Sequence, residues 1–385
     1  MDEAFGIDKL PYKISVAAML EIVHWVQAIH SYDQASKEIK RNTAINLNED
    51  TIRSVANTIG ALVFRRDIAR TEESWTLFNS GRLIFPQKKK DYDFYIETDG
   101  AMIHTRKPNE HKHSIAGEKQ DTTENSDSPE HKSKWMENKL GMVFSSDNFY
   151  LWKDRNGKLQ RKIGKREYIS LIGPAEIFKK HLLATALRNG YGQYKQTILL
   201  SDGATWIRLM KEELFPDAQQ ILDYYHLAEN VTNFAKNIFS LDETKYKPWA
   251  QIICKMLRKS KYNIVLKELN LLNKNVLSKS KFDLSQYILN NIKNIDYATY
   301  EERGWYIGSG AIESANRTVL QYRLKQAGMR WNQETGQNIV TLMSKAKSNL
   351  WETDVIEPTR ERYEIDGAKG ILGYTLRPVY QKIKK

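Results

Sequence analysis

The stretch from Thr197 to Ile207 constrains the fold most. An apolar run, Ile198-Leu199-Leu200, stops abruptly at Ser201-Asp202-Gly203. Such a run reads as a buried strand, and the Asp-Gly that ends it delivers a carboxylate to the rim of a sheet. Standing alone, Asp-Gly after a strand is ordinary turn chemistry. Here the pattern occurs twice: Phe94, Tyr95 and Ile96 lead through Glu97 and Thr98 into Asp99-Gly100. Two strand-end carboxylates predict a site assembled from separate strands.

The surrounding sequence supplies the sheet. Residues 92–104 and 139–151 read as strands, and Tyr168 to Ile172 as another, closed by Gly173-Pro174. Ala175 to Asn189 reads as a helix, with Pro174 near its first turn and Gly190 near its end. The strand Ile198–Leu200, the helix Trp206–Leu214, the turn Phe215-Pro216-Asp217 and the strand Gln220–Leu222 follow. Strands alternating with helices predict an α/β sheet with helices on its faces. The last strand runs into Asp223, and His226 stands three residues on.

The flanks read as helical. Within residues 1–80, Ile14–His30 predicts a packed helix and Tyr32–Lys40 a shorter one. Asn48 predicts the N-cap of a third, carrying Ile52, Val55 and Ile59 at helical spacing. Helix, turn and helix of these lengths resemble a helix-turn-helix DNA reader, although a plain three-helix bundle has the same pattern. From Leu227 to Tyr300, Val265, Leu269, Leu272 and Val276 keep a helical period with lysines on the other face. Gly308-Ser309-Gly310 then bends into a helix starting near Ala311. Ile312, Ala315, Val319 and Tyr322 form its expected buried stripe, and Glu313, Asn316, Arg317 and Leu320 fall on a neighbouring face. Thr335–Trp351 reads as a further helix. The polar stretch Thr105–Lys134 reads as a long loop in which His111, His113 and His131 are solvated, with Trp135 reanchoring the chain. The expected divisions are 1–80, 85–227, 228–300, 301–351 and a basic tail, 352–385.

A net charge of +12 points to a polyanionic partner. The single cysteine, Cys254, excludes an intrachain disulfide and a Cys-rich zinc site. No apolar run of about eighteen residues predicts a membrane span, and MDEAFGIDKL has neither the basic start nor the apolar core of a secretion signal. A cytoplasmic, nucleoid-associated protein is expected.

Asp99, Asp202 and Glu313 are the candidate chemical groups. Glu313 also has a plainer role, since an acid in a first turn complements the helix dipole. Clustered carboxylates raise one another's pKa unless a cation intervenes. Hard oxygen ligands suit magnesium or manganese, and two such ions serve in-line phosphoryl transfer.

IETDGAMI, LSDGATWI, LDYYHL and GSGAIESANRTVLQYRLKQAGMRW, in this order, resemble a DDE transposase of a bacterial insertion sequence, in the Mutator-like branch. The resemblance covers roughly Asp91 to Trp351. It implies an RNase H-like core interrupted by an α-helical insertion, preceded by a DNA-binding helical region. It further implies metal-dependent cleavage at element ends and strand transfer into target DNA, by a homo-oligomer assembled on DNA with two Mg2+ or Mn2+ ions. Carried over, Asp99 and Asp202 match the two aspartates of the triad and Glu313 its glutamate. Asp223 and His226 match an Asp-x-x-His signature with an expected supporting role behind the triad, and Arg330-Trp331 matches a basic-aromatic pair. Arg317, Arg323, Lys325 and Arg330 are candidate phosphate contacts. Trp331 is a candidate either for stacking on an unpaired base or for anchoring the core. The chain departs from the family in its long loop after Asp99 and a short N-terminal region, compatible with a truncated start. Two alternatives stand beside this: a catalytically silent or domesticated DNA-binding protein, and an RNase H-like nuclease without strand transfer.

Overall fold

The structure is a computed structural model, describing residues 7, 10–43, 45–106, 134–272, 277 and 279–363. His111, His113, His131 and Val276 lie outside the described residues.

Three helices come first: α1 (Val16–Ala28), α2 (Tyr32–Thr43) and α3 (Glu49–Asn79). The predicted cap is present, with the Asn48 side chain accepting from the Thr51 N–H. Ile52, Val55 and Ile59 are buried, but α3 runs on for 31 residues.

The sheet is built from β1 (Lys90–Thr105), β2 (Lys134–Ser145), β5 (Arg166–Ile172), β6 (Tyr194–Ser201) and β7 (Gln219–Leu222), in the order β5-β2-β1-β6-β7. Strand β1 runs parallel to β6, and β6 to β7, whereas β2 is antiparallel to both β1 and β5. The architecture is therefore mixed α/β. Between β2 and β5 stands a two-stranded hairpin, β3 (Phe149–Lys153) and β4 (Leu159–Ile163). The expected single strand over 139–151 is thus two strands separated at Ser146–Asn148.

Side-chain alternation divides the core between the two faces of the sheet. Phe94 and Ile96 of β1 pack with Leu199 and the buried sides of α4 (Ala175–Arg188) and α5 (Thr205–Leu214). Tyr95 faces the other way, with Ile198 and Leu200 of β6, and joins a core that includes α1–α3. On that side α3 packs against α12 (Gln333–Lys347), which also covers β5.

Among the described residues, the α-helices after β7 are α6 (Tyr224–Ile238), α7 (Glu243–Arg258), α8 (Tyr262–Asn270), α9 (Leu284–Asn290) and α10 (Tyr297–Glu302). Val265 and Leu269 are buried, as their period predicts. The chain returns to the sheet with α11 (Gly310–Ala315), which contacts β1 and β2. A π-helical turn, Asn316–Gln321, follows directly. It accommodates one extra residue and rotates everything beyond it by about 100°. Ile312, Ala315 and Val319 are buried as expected, but Tyr322 is turned out, 42% exposed. The chain beyond α12 forms a second π turn, Glu352–Ile356, and α13 (Glu357–Tyr363).

Candidate active site

Strand β1 runs on through Asp99-Gly100, as the strand expected over 92–104 does, so Asp99 does not stand at a strand end. Pairing with β2 continues from Asp99↔Leu140 out to Thr105↔Lys134. What stops is the other neighbour: pairing with β6 runs out at Glu97↔Leu200. Asp99 therefore lies mid-strand beside the vacated C-terminal end of β6. Asp202 follows β6 directly, and Gly203 turns the chain there with φ +86°, a conformation that favours glycine. Asp202 continues the parity of Ile198 and Leu200, as Asp99 continues that of Tyr95. Both carboxylates thus face the side on which α11 brings Glu313.

The charges of Asp202 and Glu313 both reach Asp99. Burial raises the pKa of Asp99, and the charges of Asp202 and Glu313 raise it further, against hydrogen bonds from Gly100 and Asn316. Each carboxylate is also held by a local donor. Asp99 accepts from the Gly100 N–H at 2.7 Å and from the Asn316 amide. Asp202 Oδ1 accepts from the Ala204 N–H at 2.9 Å, and Glu313 Oε1 lies 3.3 Å from the Ser309 hydroxyl.

Asp223 stands behind Glu313. It is 1% exposed and caps α6, its Oδ1 accepting from the Tyr225 and His226 N–H groups. Its Oδ2 accepts from the Ser309 N–H at 2.9 Å and from the Ser309 hydroxyl. Helix cap and support for the glutamate are therefore one residue. His226 is half-buried, and its ring makes no hydrogen bond to a described residue.

Glu97, passed over in the sequence reading, is as deeply buried as Asp223, at 1% exposed. It lies on β1 within the buried run Phe94–Thr98 and accepts the Ile312 N–H at 3.0 Å, fixing the first turn of α11. Burial pushes its pKa up to about 8, with Asp223 and Glu313 adding to the rise. Asn316 and Ser309, also missed as site residues, position Asp99 and Glu313. An acid inside an otherwise apolar strand was the available signal for Glu97; Ser309 and Asn316 offered only proximity to Glu313 in sequence.

Arg317, Lys325 and Arg330 are exposed. Arg323 is not: it is 1% exposed, donates to the His30 carbonyl at 2.7 Å and lies over the rings of Tyr32 and Trp331. The π turn is the reason, because it rotates residue 323 inward; the expected phosphate contact is instead a strut to the N-terminal helices. Trp331 is 8% exposed, and its indole N–H donates to the Leu324 carbonyl. Of its two expected roles, the structure supports the core anchor.

The donor set, carboxylate oxygens without sulfur, suits a hard divalent cation in chemistry. In spacing, no group of three or more His, Cys, Asp or Glu among the described residues is arranged to hold a metal ion.

No protein-family model matches the chain, and no curated protein matches it either. No helix among the described residues is long and apolar enough to cross a membrane.

Proposed function

We propose that this protein is a DDE-type DNA transposase that cleaves element ends and transfers the strand into target DNA. The observation that carries the reading is that Asp99 and Asp202, on neighbouring strands, face the side of the sheet on which α11 presents Glu313, and that the charges of Asp202 and Glu313 both reach Asp99. The four sequence motifs support it independently, as does a mixed sheet followed, before Glu313, by a run of helices among the described residues. That is the arrangement expected of an RNase H-like core with a helical insertion.

In this reading Asp99, Asp202 and Glu313 would hold two magnesium or manganese ions. When bound, these would activate the attacking oxygen and stabilise the leaving oxygen of an in-line displacement. The chain's own contribution is placement. Asn316 steers Asp99, Asp223 steers Glu313 through Ser309, and Glu97 fixes the turn that carries Glu313. Exposed Arg317, Lys325 and Arg330, with Lys37, Lys40 and Arg41 of α2, offer cations to phosphates. Assembly as a homo-oligomer on DNA belongs to the same proposal.

The engagement of each acid by a local donor favours a second reading, a silent DNA-binding derivative. The deciding experiment is cleavage and strand transfer on a labelled end fragment in magnesium or manganese, beside a gel-shift assay in chelator. Metal-dependent cleavage supports the transposase. Binding without cleavage, across both metals and the flanking repeat sequences, supports the silent derivative.

A further inference from the structure

A cavity of about 770 Å³ lies between the β3–β4 hairpin and the segment leading into α11. That volume is in the range that encloses a small ligand. Its walls combine cations and rings: Arg161, Lys162 and Arg166 with Tyr150, Tyr225 and Tyr306. The Arg161 guanidinium lies over Phe149 at 5.0 Å and over Tyr306 at 4.5 Å, and Lys162 sits 3.8 Å above the ring of Trp152. Among the described residues none of the three cations has a carboxylate partner. The two acids in the walls do not cancel them. Glu301 is paired with Arg258 at 2.6 Å, and Glu97 is 1% exposed with one oxygen on the Ile312 N–H. Tyr150 and Tyr225 present half or more of their surface to solvent.

We propose that this cavity binds an unpaired nucleotide of a DNA strand, its base against Tyr150 or Tyr225 and its phosphate on Arg161 and Lys162. A paired base has its faces covered by neighbours in the stack, so only an unpaired one offers a ring to these side chains. The ring-backed guanidinium also hydrogen-bonds the Tyr306 side chain, which orients it, and its five N–H donors exceed what that one bond uses, leaving donors for phosphate oxygens. Gly308 and Gly310 line the same cavity, so a strand held here runs beside the bend that carries Ser309 and Glu313. The inference rests on the transposase reading for its substrate, and it places the unpaired nucleotide next to the reacting phosphate.

The test uses the full chain in chelator, with a labelled twelve-nucleotide thymidine strand and a twelve-base-pair duplex as probes. Arg161→Gln and Tyr150→Ala should each weaken single-strand binding at least about fivefold while leaving duplex binding within about twofold. A strand carrying 5-iododeoxyuridine should cross-link under ultraviolet light to peptides containing Tyr150 or Tyr225. Should Arg161→Gln fail to fold, Tyr150→Ala and the cross-link decide. Unchanged single-strand affinity in Tyr150→Ala, equal losses on both probes, or cross-links confined to other peptides would each overturn the proposal. Loss of cleavage with the cross-link intact counts against strand transfer alone. Cleavage without the cross-link counts against this cavity alone.

Discussion

Among the side chains, Asp99 is acted on by burial and by two nearby carboxylates together. Asp202→Asn keeps the shape of the site and removes one charge, as do Asp99→Asn and Glu313→Gln. Each is expected to lower the cleavage rate by about a thousandfold or more. Combinations should lose little beyond the single changes, because the residues act as one unit. Gel shifts in chelator should show retained DNA binding, since each change removes negative charge facing phosphate; normal cleavage by the Asp202→Asn protein would refute the three-acid site. Glu97 gives a different signature. Its folded-state pKa of about 8 lies above the ordinary value of 4.5, so the folded protein binds the extra proton between those limits. Its contribution to stability is therefore present at low pH and lost as pH rises through about 8. Glu97→Gln should flatten that part of the stability–pH curve, by on the order of a few kcal/mol at its upper end. Urea unfolding from pH 5 to 9 measures it, and a mutant curve parallel to the unmodified one would rule out this role.

Between elements, one buried charge cluster ties the N-terminal helices to the rest. Lys345 of α12 is 2% exposed and pairs with Asp67 of α3 at 2.7 Å and with Asp354 at 3.0 Å. Lys345→Met preserves bulk but strands two carboxylates away from water. A loss of about 3–5 kcal/mol in urea unfolding is expected. A loss under about 1 kcal/mol would mean that Arg70, 3.1 Å from Asp354, already balances the cluster. None of this was legible in sequence, because Asp67 and Lys345 are brought together only by the packing of α3 on α12. Other elements were readable to differing degrees. The end of β6 at Asp202 was visible because its apolar run stops there. The continuation of β1 past Asp99 was visible too, in the strand expected over 92–104; that β6 stops pairing with it at Glu97 was not. The β3–β4 hairpin had a local signal in Asn156-Gly157, a strong turn pair whose Gly157 has φ +77°, and the reading missed it. Glu313 could be placed in a first turn from Gly308-Ser309-Gly310 and the stripe that follows. The inward face of Arg323 could not, since a π turn obeys no helical period.

In the whole molecule, α1–α3 share one continuous core with the sheet and α12. Removing residues 1–80 is therefore expected to uncover Ile339, Val340, Leu342 and Met343 along with their neighbours. The truncated chain should aggregate or melt well below the full chain in a thermal scan. A stable, soluble truncation would show that these helices are dispensable for folding. End recognition is better tested by charge removal at Lys37, Lys40 and Arg41, all exposed on α2. If the basic surface acts through phosphates, affinity should fall with salt at a log–log slope near −0.9 per phosphate neutralised, and each lost contact should shallow that slope. An affinity independent of salt would exclude it.

The π turn after α11 also makes the molecule sensitive to length. Between Glu313 and Arg323 one side chain must face the acids while the other braces the first helices. Their relative angle is set by a count of residues more than by their identities. Exchanges of exposed residues such as Thr318 should therefore pass quietly, and deleting one residue there should leave a regular α-helix with Arg323 still turned inward, whereas inserting one more would throw the two ends out of phase.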